Sequence, residues 1–89
     1  MITDARSVAD GSIIKTDLCV IGGGPAGISI AREFIARGLQ VCLLEAGGLE
    51  YDDETQSLYK GENIGHPYYD LNVLRLRFFG GGTNHWGGW

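Results

Sequence analysis

The stretch DLCVIGGGPAGISIAREFIARGLQVCLLEAGG, residues 17–48, decides the fold of this chain. Residues 18–21 form a short apolar run bounded by glycine, which is typical of a strand buried on both faces of a parallel sheet. Apolar residues then recur at helical spacing over residues 25–37, and Gly38 favours a helix end there. A second apolar run, residues 40–45, ends in an acid. Strand, glycine turn, helix and strand in this order predict a βαβ unit.

The turn between the first strand and the helix reads GGGPAG and satisfies the pattern G-x-G-x-x-G. Gly22 permits the tight turn, Gly24 lets a diphosphate approach the backbone, and Gly27 lets helix and strand pack closely. The amides of the first helical turn lie at the positive end of the helix dipole and are suited to hold an anion. The dinucleotide-binding residues predicted in this turn are Gly22, Gly24, Pro25, Ala26 and Gly27.

Glu45 completes the predicted site, because it ends the second strand eighteen residues after Gly27. Its carboxylate can accept hydrogen bonds from both ribose hydroxyls of an adenosine and would repel a 2′-phosphate. Glycines that only make a tight turn would leave this acid unexplained. The sequence therefore predicts an α/β fold with a Rossmann-like dinucleotide-binding βαβ unit. Two strands and one helix are only part of a doubly wound sheet.

Composition narrows the classes of partner. The chain has 89 residues, of which 44% are hydrophobic and 20% charged, as in one small globular domain. Its net charge is −4 without a basic run, so nucleic-acid binding is not expected. No apolar stretch reaches the roughly 18 residues of a membrane span, and no basic leader precedes a hydrophobic segment, so a cytoplasmic protein is expected. Cys19 and Cys42 are expected to be buried, unpaired thiols on the two strands.

The segments on either side of residues 17–48 carry weaker signals. Residues 2–15 alternate around Asp10-Gly11, which predicts a short antiparallel ribbon. The acids of residues 50–54 predict a solvated helix start; a metal site is not predicted, since no histidine supports one. Residues 74–78 alternate between apolar and basic, which predicts a brief strand. Its two arginines, Arg75 and Arg77, either help to neutralise a diphosphate or form a charged surface.

Two resemblances extend this interpretation. The wording VIGGGPAGISIA followed by VCLLEAGG resembles the amino-terminal ADP-binding motif of FAD-dependent enzymes, which favours FAD over NAD. Thirty-five residues after Glu45, the stretch RFFGGGTNHW resembles the glycine-rich first signature of glucose-methanol-choline (GMC) oxidoreductases, which lies along the flavin. The cofactor-binding residues that this second resemblance implies are Gly80, Gly81, Gly82, Thr83, Asn84 and His85.

Within the GMC family, the wording Asn-His-Trp is most similar to the sugar-oxidising branch that includes pyranose oxidases. That likeness implies a bond from His85 to the 8α-methyl group of the flavin; the alternative is a histidine that packs between tryptophans and hydrogen-bonds a carbonyl. Trp86 and Trp89 are expected to be packing residues beside the isoalloxazine ring.

The GMC resemblance implies oxidation of an alcohol, such as a sugar or glycoside hydroxyl, by hydride transfer to flavin N5. The family's catalytic base lies far downstream, so no catalytic residue is predicted within this chain. The expected organisation of residues 1–89 is a lead-in (1–16), the βαβ unit (17–48), and a connection with the glycine-rich segment (49–89). The rest of the FAD domain and a substrate domain are expected outside it, in the same polypeptide or in complementary chains; an oligomer is possible.

Two other classes remain open from the sequence. A different flavoenzyme, of the amine oxidase or ketosteroid dehydrogenase type, would share residues 17–48 but not 75–89. A non-catalytic binding module like the GDP-dissociation inhibitors would use the same fingerprint to bind a partner, although it would have no need of a second glycine-rich segment.

Overall fold

The computed structural model of the chain describes residues 1–85. The packing role predicted for Trp86 and Trp89 falls outside this range. The strands are β1 (Leu18–Ile21) and β2 (Val41–Leu44), and the helices are α1 (Pro25–Ala36), α2 (Asp53–Ser57) and α3 (Leu71–Leu74). Single 3-10 turns cover Ala5–Ser7 and Gly81–His85.

The βαβ unit predicted from residues 17–48 is confirmed. β1 and β2 pair in parallel, with Leu18 opposite Val41 and Ile21 opposite Leu44. α1 begins at Pro25 and gives way at Arg37 to a left-handed turn at Gly38, where φ is 84°. The fold is a small α/β unit of the Rossmann type, and its two strands are the only strands within the described residues.

α1 covers one face of the two-stranded sheet. Val20 points at the helix and is 9% exposed, and Ala31 on the helix is 7% exposed. The opposite face carries Ile21, 86% exposed, and Leu44, 49% exposed. The prediction that the first strand is buried on both faces is therefore wrong for the described residues, because they leave the face that carries Ile21 largely exposed.

The two cysteines lie on that second face and are register partners. Both are free, as predicted, but Cys19 is exposed and Cys42 only half-buried. The prediction that they are buried fails for the same reason as the prediction for β1: apolar strand residues identify a sheet, whereas their burial depends on what packs above it.

Two other predicted elements are absent. In place of an antiparallel ribbon over residues 2–15, Asp4 caps a single 3-10 turn and the chain turns at Gly11 without strand pairing. In place of a strand over residues 74–78, α3 ends at Leu74 and an extended segment follows. That segment has no strand partner because the side chain of Gln56 takes its backbone hydrogen bonds.

The acids of residues 50–54 form a helix start, as predicted. Asp52 is the N-cap of α2 and accepts a hydrogen bond from the amide of Thr55 at 2.7 Å. Hydrogen bonding to Thr55 lowers the pKa of the Asp52 carboxyl. Within residues 1–85, no cluster of histidine, cysteine and acidic side chains could hold a metal ion, and none of the helices is long and apolar enough to cross a bilayer.

Candidate dinucleotide-binding site

The candidate site lies at the carboxyl ends of the two parallel strands, where ligands bind in open α/β sheets. β1 leads into Gly22 and β2 into Glu45. An open cavity of about 280 Å³ lies there, and Gly22, Gly24 and Glu45 line it from the βαβ unit. Gly81 and Gly82 line it from the stretch at residues 80–85, which is called the second glycine-rich segment below. The fold thus brings both predicted segments to one place.

The turn between β1 and α1 that carries the G-x-G-x-x-G pattern, residues 22–27, is called the fingerprint turn here and has the geometry that its glycines predict. Gly22 continues the sheet by donating to the Leu44 carbonyl at 2.8 Å and then turns with φ of 107°, a backbone conformation that side chains disfavour. A Cβ at Gly27 would lie 2.0 Å from the Gly22 carbonyl oxygen, so only glycine fits where the helix crosses the turn. A Cβ at Gly24 would meet no protein atom within 4 Å, which leaves that face of the turn open to a ligand.

The amino terminus of α1 points its first amides toward this open face. Pro25 occupies the first helical turn, where its missing N–H costs nothing, and the bond from Ile28 N to Gly24 O, 2.9 Å, closes the turn. The amides of Ala26 and Gly27 precede that bond, so they have no acceptor within the helix. A diphosphate fits here, since the open face, the amides and the helix dipole all favour an anion.

Glu45 links the turn between β1 and α1 to the segment that follows β2. Its Oε2 accepts a hydrogen bond from the Gly23 amide at 2.6 Å, and its Oε1 accepts one from the Gly47 amide at 2.9 Å. The sequence predicted a ribose contact and did not predict these two bonds. A carboxylate has about four lone-pair positions, so both oxygens keep capacity for ribose hydroxyls. The ribose contact stays a prediction.

The second glycine-rich segment lies directly on the fingerprint turn. The amide of Gly80 donates to the carbonyl of Gly23 at 2.8 Å, and that of Phe79 donates to the carbonyl of Gly48 at 2.9 Å. A Cβ at Gly81 would lie 3.3 Å from the Gly24 Cα. The glycines of this segment therefore permit backbone to pack on backbone, whichever cofactor is bound.

The polar residues that follow hold the segment in its own turn. The Thr83 hydroxyl donates to the Gly80 carbonyl at 2.6 Å, and the Asn84 side-chain amide donates to the carbonyls of Phe79 and Gly81 at 3.1 Å each. His85 is exposed at the end of the 3-10 turn. The flavin contacts predicted for these three side chains stay predictions.

Gln56 is a functional residue that the sequence did not reveal. Its side chain is 4% exposed; Nε2 donates to the carbonyls of Asn72, at 2.7 Å, and Arg75, while Oε1 accepts from the Arg77 amide at 2.9 Å. These bonds join α2 to the last turn of α3 and to the extended segment at residues 75–77, which leads into the second glycine-rich segment. A glutamine in the polar run TQS has no periodicity that would distinguish it from a surface residue.

Gly47 receives the segment that Gln56 holds. A Cβ at this position would lie 2.0 Å from the Arg77 carbonyl oxygen and 2.6 Å from the Phe78 Cα. Only glycine permits that approach, which brings residues 77–82 alongside Glu45 and the fingerprint turn. The dipeptide Gly47-Gly48, which follows the strand-ending acid after one alanine, was the available signal, since paired glycines often mark a close backbone approach.

Comparison with known proteins identifies a family of FAD dependent enzymes and two relatives among curated proteins. Residues 17–78 match the family model of the FAD dependent oxidoreductases (DAO). The chain is 42% identical to a putrescine oxidase of Kocuria rosea over 45 residues, which are 51% of this chain and 9% of that protein. It is 48% identical to a 6-methylpretetramide 4-monooxygenase of Streptomyces rimosus over 40 residues, 45% of this chain and 9% of that protein. No solved structure matches the chain.

These findings confirm the prediction of FAD and overturn the prediction of the GMC family, which is wrong. The family model matches the βαβ unit and ends at Phe78, before the glycines that carried the GMC resemblance. The structure explains why those glycines misled: Gly80 and Gly81 lie against Gly23 and Gly24 with φ of 96° and 50°, and such a backbone conformation favours glycine in any family.

Proposed function

Because this chain belongs to the DAO family of FAD dependent oxidoreductases, we propose that it forms the FAD-binding part of a flavoenzyme that oxidises an amine. The chain spans about a tenth of the length of the curated relatives that it matches. The substrate class is therefore proposed for the complete protein. The predicted oxidation of a sugar hydroxyl depended on the GMC resemblance and falls with it.

The observation that supports an amine is the likeness to putrescine oxidase, which includes 45 aligned residues at 42% identity. That protein is by name an oxidase of a diamine. The sequence had already left the amine oxidase type open, as one of the flavoenzyme types that would share residues 17–48.

The role proposed for this chain is to hold FAD. The α1 amides and the open face at Gly24 receive the diphosphate, and Glu45 receives the ribose while it braces the turn through Gly23. The second glycine-rich segment closes the groove from the other side. When bound, FAD supplies the redox chemistry, and the protein contributes binding and orientation.

The experiment is anaerobic titration of the complete protein with candidate donors while the flavin absorbance is followed. We expect a primary diamine such as putrescine to bleach the flavin bands without any other reductant, and glucose to leave them unchanged. Bleaching by a sugar and not by any amine would refute the amine proposal. A complete protein that binds no FAD would refute the larger proposal.

A second candidate is a monooxygenase, and the 48% identity to the Streptomyces rimosus protein over 40 residues favours it. Inserting one oxygen atom of O₂ and reducing the other to water consumes two electrons from an external donor. Consumption of O₂ that requires NADH or NADPH as well as an organic substrate would support this candidate. Consumption of O₂ with an amine alone would support the first.

We also propose that the rest of the FAD domain covers the open face of the sheet. The support is the apolar exposed surface of Ile21 and Leu44, since a parallel sheet is normally covered on both faces.

The contact of His85 with the flavin stays a proposal. Acid precipitation of the complete protein tests whether His85 is bonded to the flavin ring. Flavin absorbance that stays with the precipitate would support the bond, and flavin in the supernatant would refute it.

A further inference from the structure

Arg77 holds a positive charge in the candidate site with no partner to neutralise it. The ion pairs of residues 1–85 are Arg6 with Asp4 and Arg37 with Glu33, so Arg77 has none within that range. Its Nε is enclosed by protein and has no hydrogen-bond partner among the described residues. Buried polar groups are nearly always paired, and an unpaired one costs free energy. The guanidinium is therefore suited to an acceptor that a ligand brings.

The backbone of Arg77 is held at a defined position. Its amide donates to Gln56 Oε1 at 2.9 Å, and its carbonyl packs against Gly47, where a Cβ would approach to 2.0 Å. Its guanidinium carbon lies 4.9 Å from the centre of the Tyr59 ring. An arginine stacked on an aromatic ring uses its flat face there, which leaves its edge of N–H groups for a planar or anionic acceptor.

Arg77 and Tyr59 line a cavity of about 210 Å³ that also includes Gly22 and Glu45 and that borders the open sheet face at Ile21 and Leu44. Tyr59 lines the larger cavity with Gly24 as well, so the two cavities adjoin at this ring. Glu45 brings a negative charge, and a dinucleotide diphosphate adds two more. The helix dipole of α1 supplies only about half a positive charge. A guanidinium satisfies this imbalance well, because it binds phosphate oxygens through two parallel hydrogen bonds.

We propose that Arg77, supported by the ring of Tyr59, binds the diphosphate of FAD in addition to the α1 amides. This inference rests on the proposed FAD site. It makes Arg77 a cofactor-binding residue and Tyr59 the residue that positions it. Arg75 lines the larger cavity but is exposed and has no such aromatic support, so its contribution is smaller.

The test uses the complete protein freed of flavin, with FAD, adenosine diphosphate and adenosine as probes in binding titrations. We expect Arg77→Gln to raise the dissociation constants of FAD and adenosine diphosphate by about 10- to 100-fold, the loss of a charge-assisted hydrogen bond. Adenosine, which has no phosphate, should bind as before. The dependence of the FAD dissociation constant on salt should become shallower.

Controls separate this proposal from general damage. Arg32→Gln removes an exposed charge on α1 that lines neither cavity and should change nothing. Tyr59→Phe keeps the ring and should bind FAD like the wild type, whereas Tyr59→Leu should weaken FAD binding. If Arg77→Gln does not fold, Arg77→Lys, which keeps the charge but loses the paired hydrogen bonds, should weaken adenosine diphosphate and spare adenosine.

Two results would overturn the inference: unchanged FAD binding in Arg77→Gln, or an equal loss for adenosine and adenosine diphosphate. The second result would mean that Arg77 contacts the adenosine or merely supports the fold. A wild-type protein that binds no FAD at all would instead count against the proposed function. The two failures are thus distinguishable.

Discussion

Glu45 illustrates how one side chain serves both fold and ligand. As a strand-ending acid it was predicted to bind ribose, yet its two oxygens also hold the Gly23 and Gly47 amides. Those bonds join the fingerprint turn to the segment after β2. A cofactor that binds this carboxylate would therefore meet a group that is already oriented, which lowers the entropy cost of binding.

The first residue-scale prediction concerns Glu45→Gln. Glutamine offers one acceptor oxygen and places an N–H₂ donor against the other backbone amide, so one of the two bonds becomes a donor–donor contact. We expect the free energy of unfolding to fall by about 1–3 kcal/mol and FAD binding to weaken. Urea unfolding and flavin fluorescence of the complete protein measure the two effects. Asp17→Asn, which alters an exposed carboxylate bonded to a single amide, is the matched control.

The second residue-scale prediction compares two glycines in the same motif. Gly27→Ala places a methyl 2.0 Å from the Gly22 carbonyl oxygen and should lower the thermal midpoint of the complete protein. Gly24→Ala places its methyl where no protein atom lies within 4 Å, so the midpoint of the flavin-free protein should hold while FAD affinity falls. Equal loss of stability in both variants would contradict the open face at Gly24.

At the scale of elements, a buried glutamine joins the helix α2 to the second glycine-rich segment. Both polar atoms of the Gln56 side chain form hydrogen bonds with backbone groups of Asn72, Arg75 and Arg77. The segment between α3 and the second glycine-rich segment is held by this side chain in place of strand pairing. Its path, and with it one wall of the site, depends on a single residue in a helix of one turn.

We therefore predict that Gln56→Leu destabilises this connection. The substitution leaves the Asn72 and Arg75 carbonyls and the Arg77 amide without their partner, and each buried unsatisfied group costs about 1–3 kcal/mol. Hydrogen exchange of amides 75–80 in the complete protein should accelerate more than that of α1. Ser57→Ala is the control, because the Ser57 hydroxyl bonds only to the Glu54 carbonyl near the start of α2. It should leave the exchange of these amides unaltered.

The start of α2 predicts a dependence on pH. The pKa of Asp52 is lowered from 3.8 by hydrogen bonding to Thr55, so the cap stabilises the helix above the ordinary carboxyl range. That contribution is lost as pH falls through the folded-state pKa. The difference in urea midpoint between the wild type and Asp52→Ala should therefore shrink from pH 7 to pH 3. Asparagine caps without titrating, so the difference between Asp52→Asn and Asp52→Ala should stay constant.

In the molecule as a whole, the sheet face away from α1 is the main apolar surface that stays uncovered among the described residues. Cys19 and Ile21 on β1 lie beside Cys42 and Leu44 on β2, all on the face away from α1. A parallel sheet with one bare apolar face is not expected to be stable by itself. The proposed remainder of the FAD domain supplies the missing cover.

Thiol labelling tests this proposal directly. In the native complete protein, we expect Cys19 and Cys42 to react slowly and to become fast only on denaturation. In the isolated residues 1–89, both should react fast, and heating should give no cooperative transition. An isolated segment that unfolds sharply and binds FAD stoichiometrically would show that the covering domain is unnecessary.

The sequence alone determined the βαβ unit, the parallel pairing and the fingerprint turn. These follow from local signals, because apolar periodicity and the spacing of glycines act within about thirty residues. The choice of FAD came instead from the resemblance to the ADP-binding motif of FAD-dependent enzymes, which the family match confirms. Residues 2–15 and 74–78 were wrongly predicted as strands for a related reason. Alternation in sequence shows only that a strand is possible, whereas pairing needs a partner elsewhere in the chain.

Only the tertiary structure decided how distant segments meet. The bond between Gly80 and Gly23, the approach of Arg77 to Gly47 and the burial of Gln56 each join residues far apart in sequence. No local sequence pattern encodes such a contact. Its stabilising free energy is gained only when the two distant segments meet and both leave water. Gly80 and Gly81, which suggested the GMC family, have a left-handed backbone conformation where they meet the fingerprint turn, so they identified a turn at a contact and not a family.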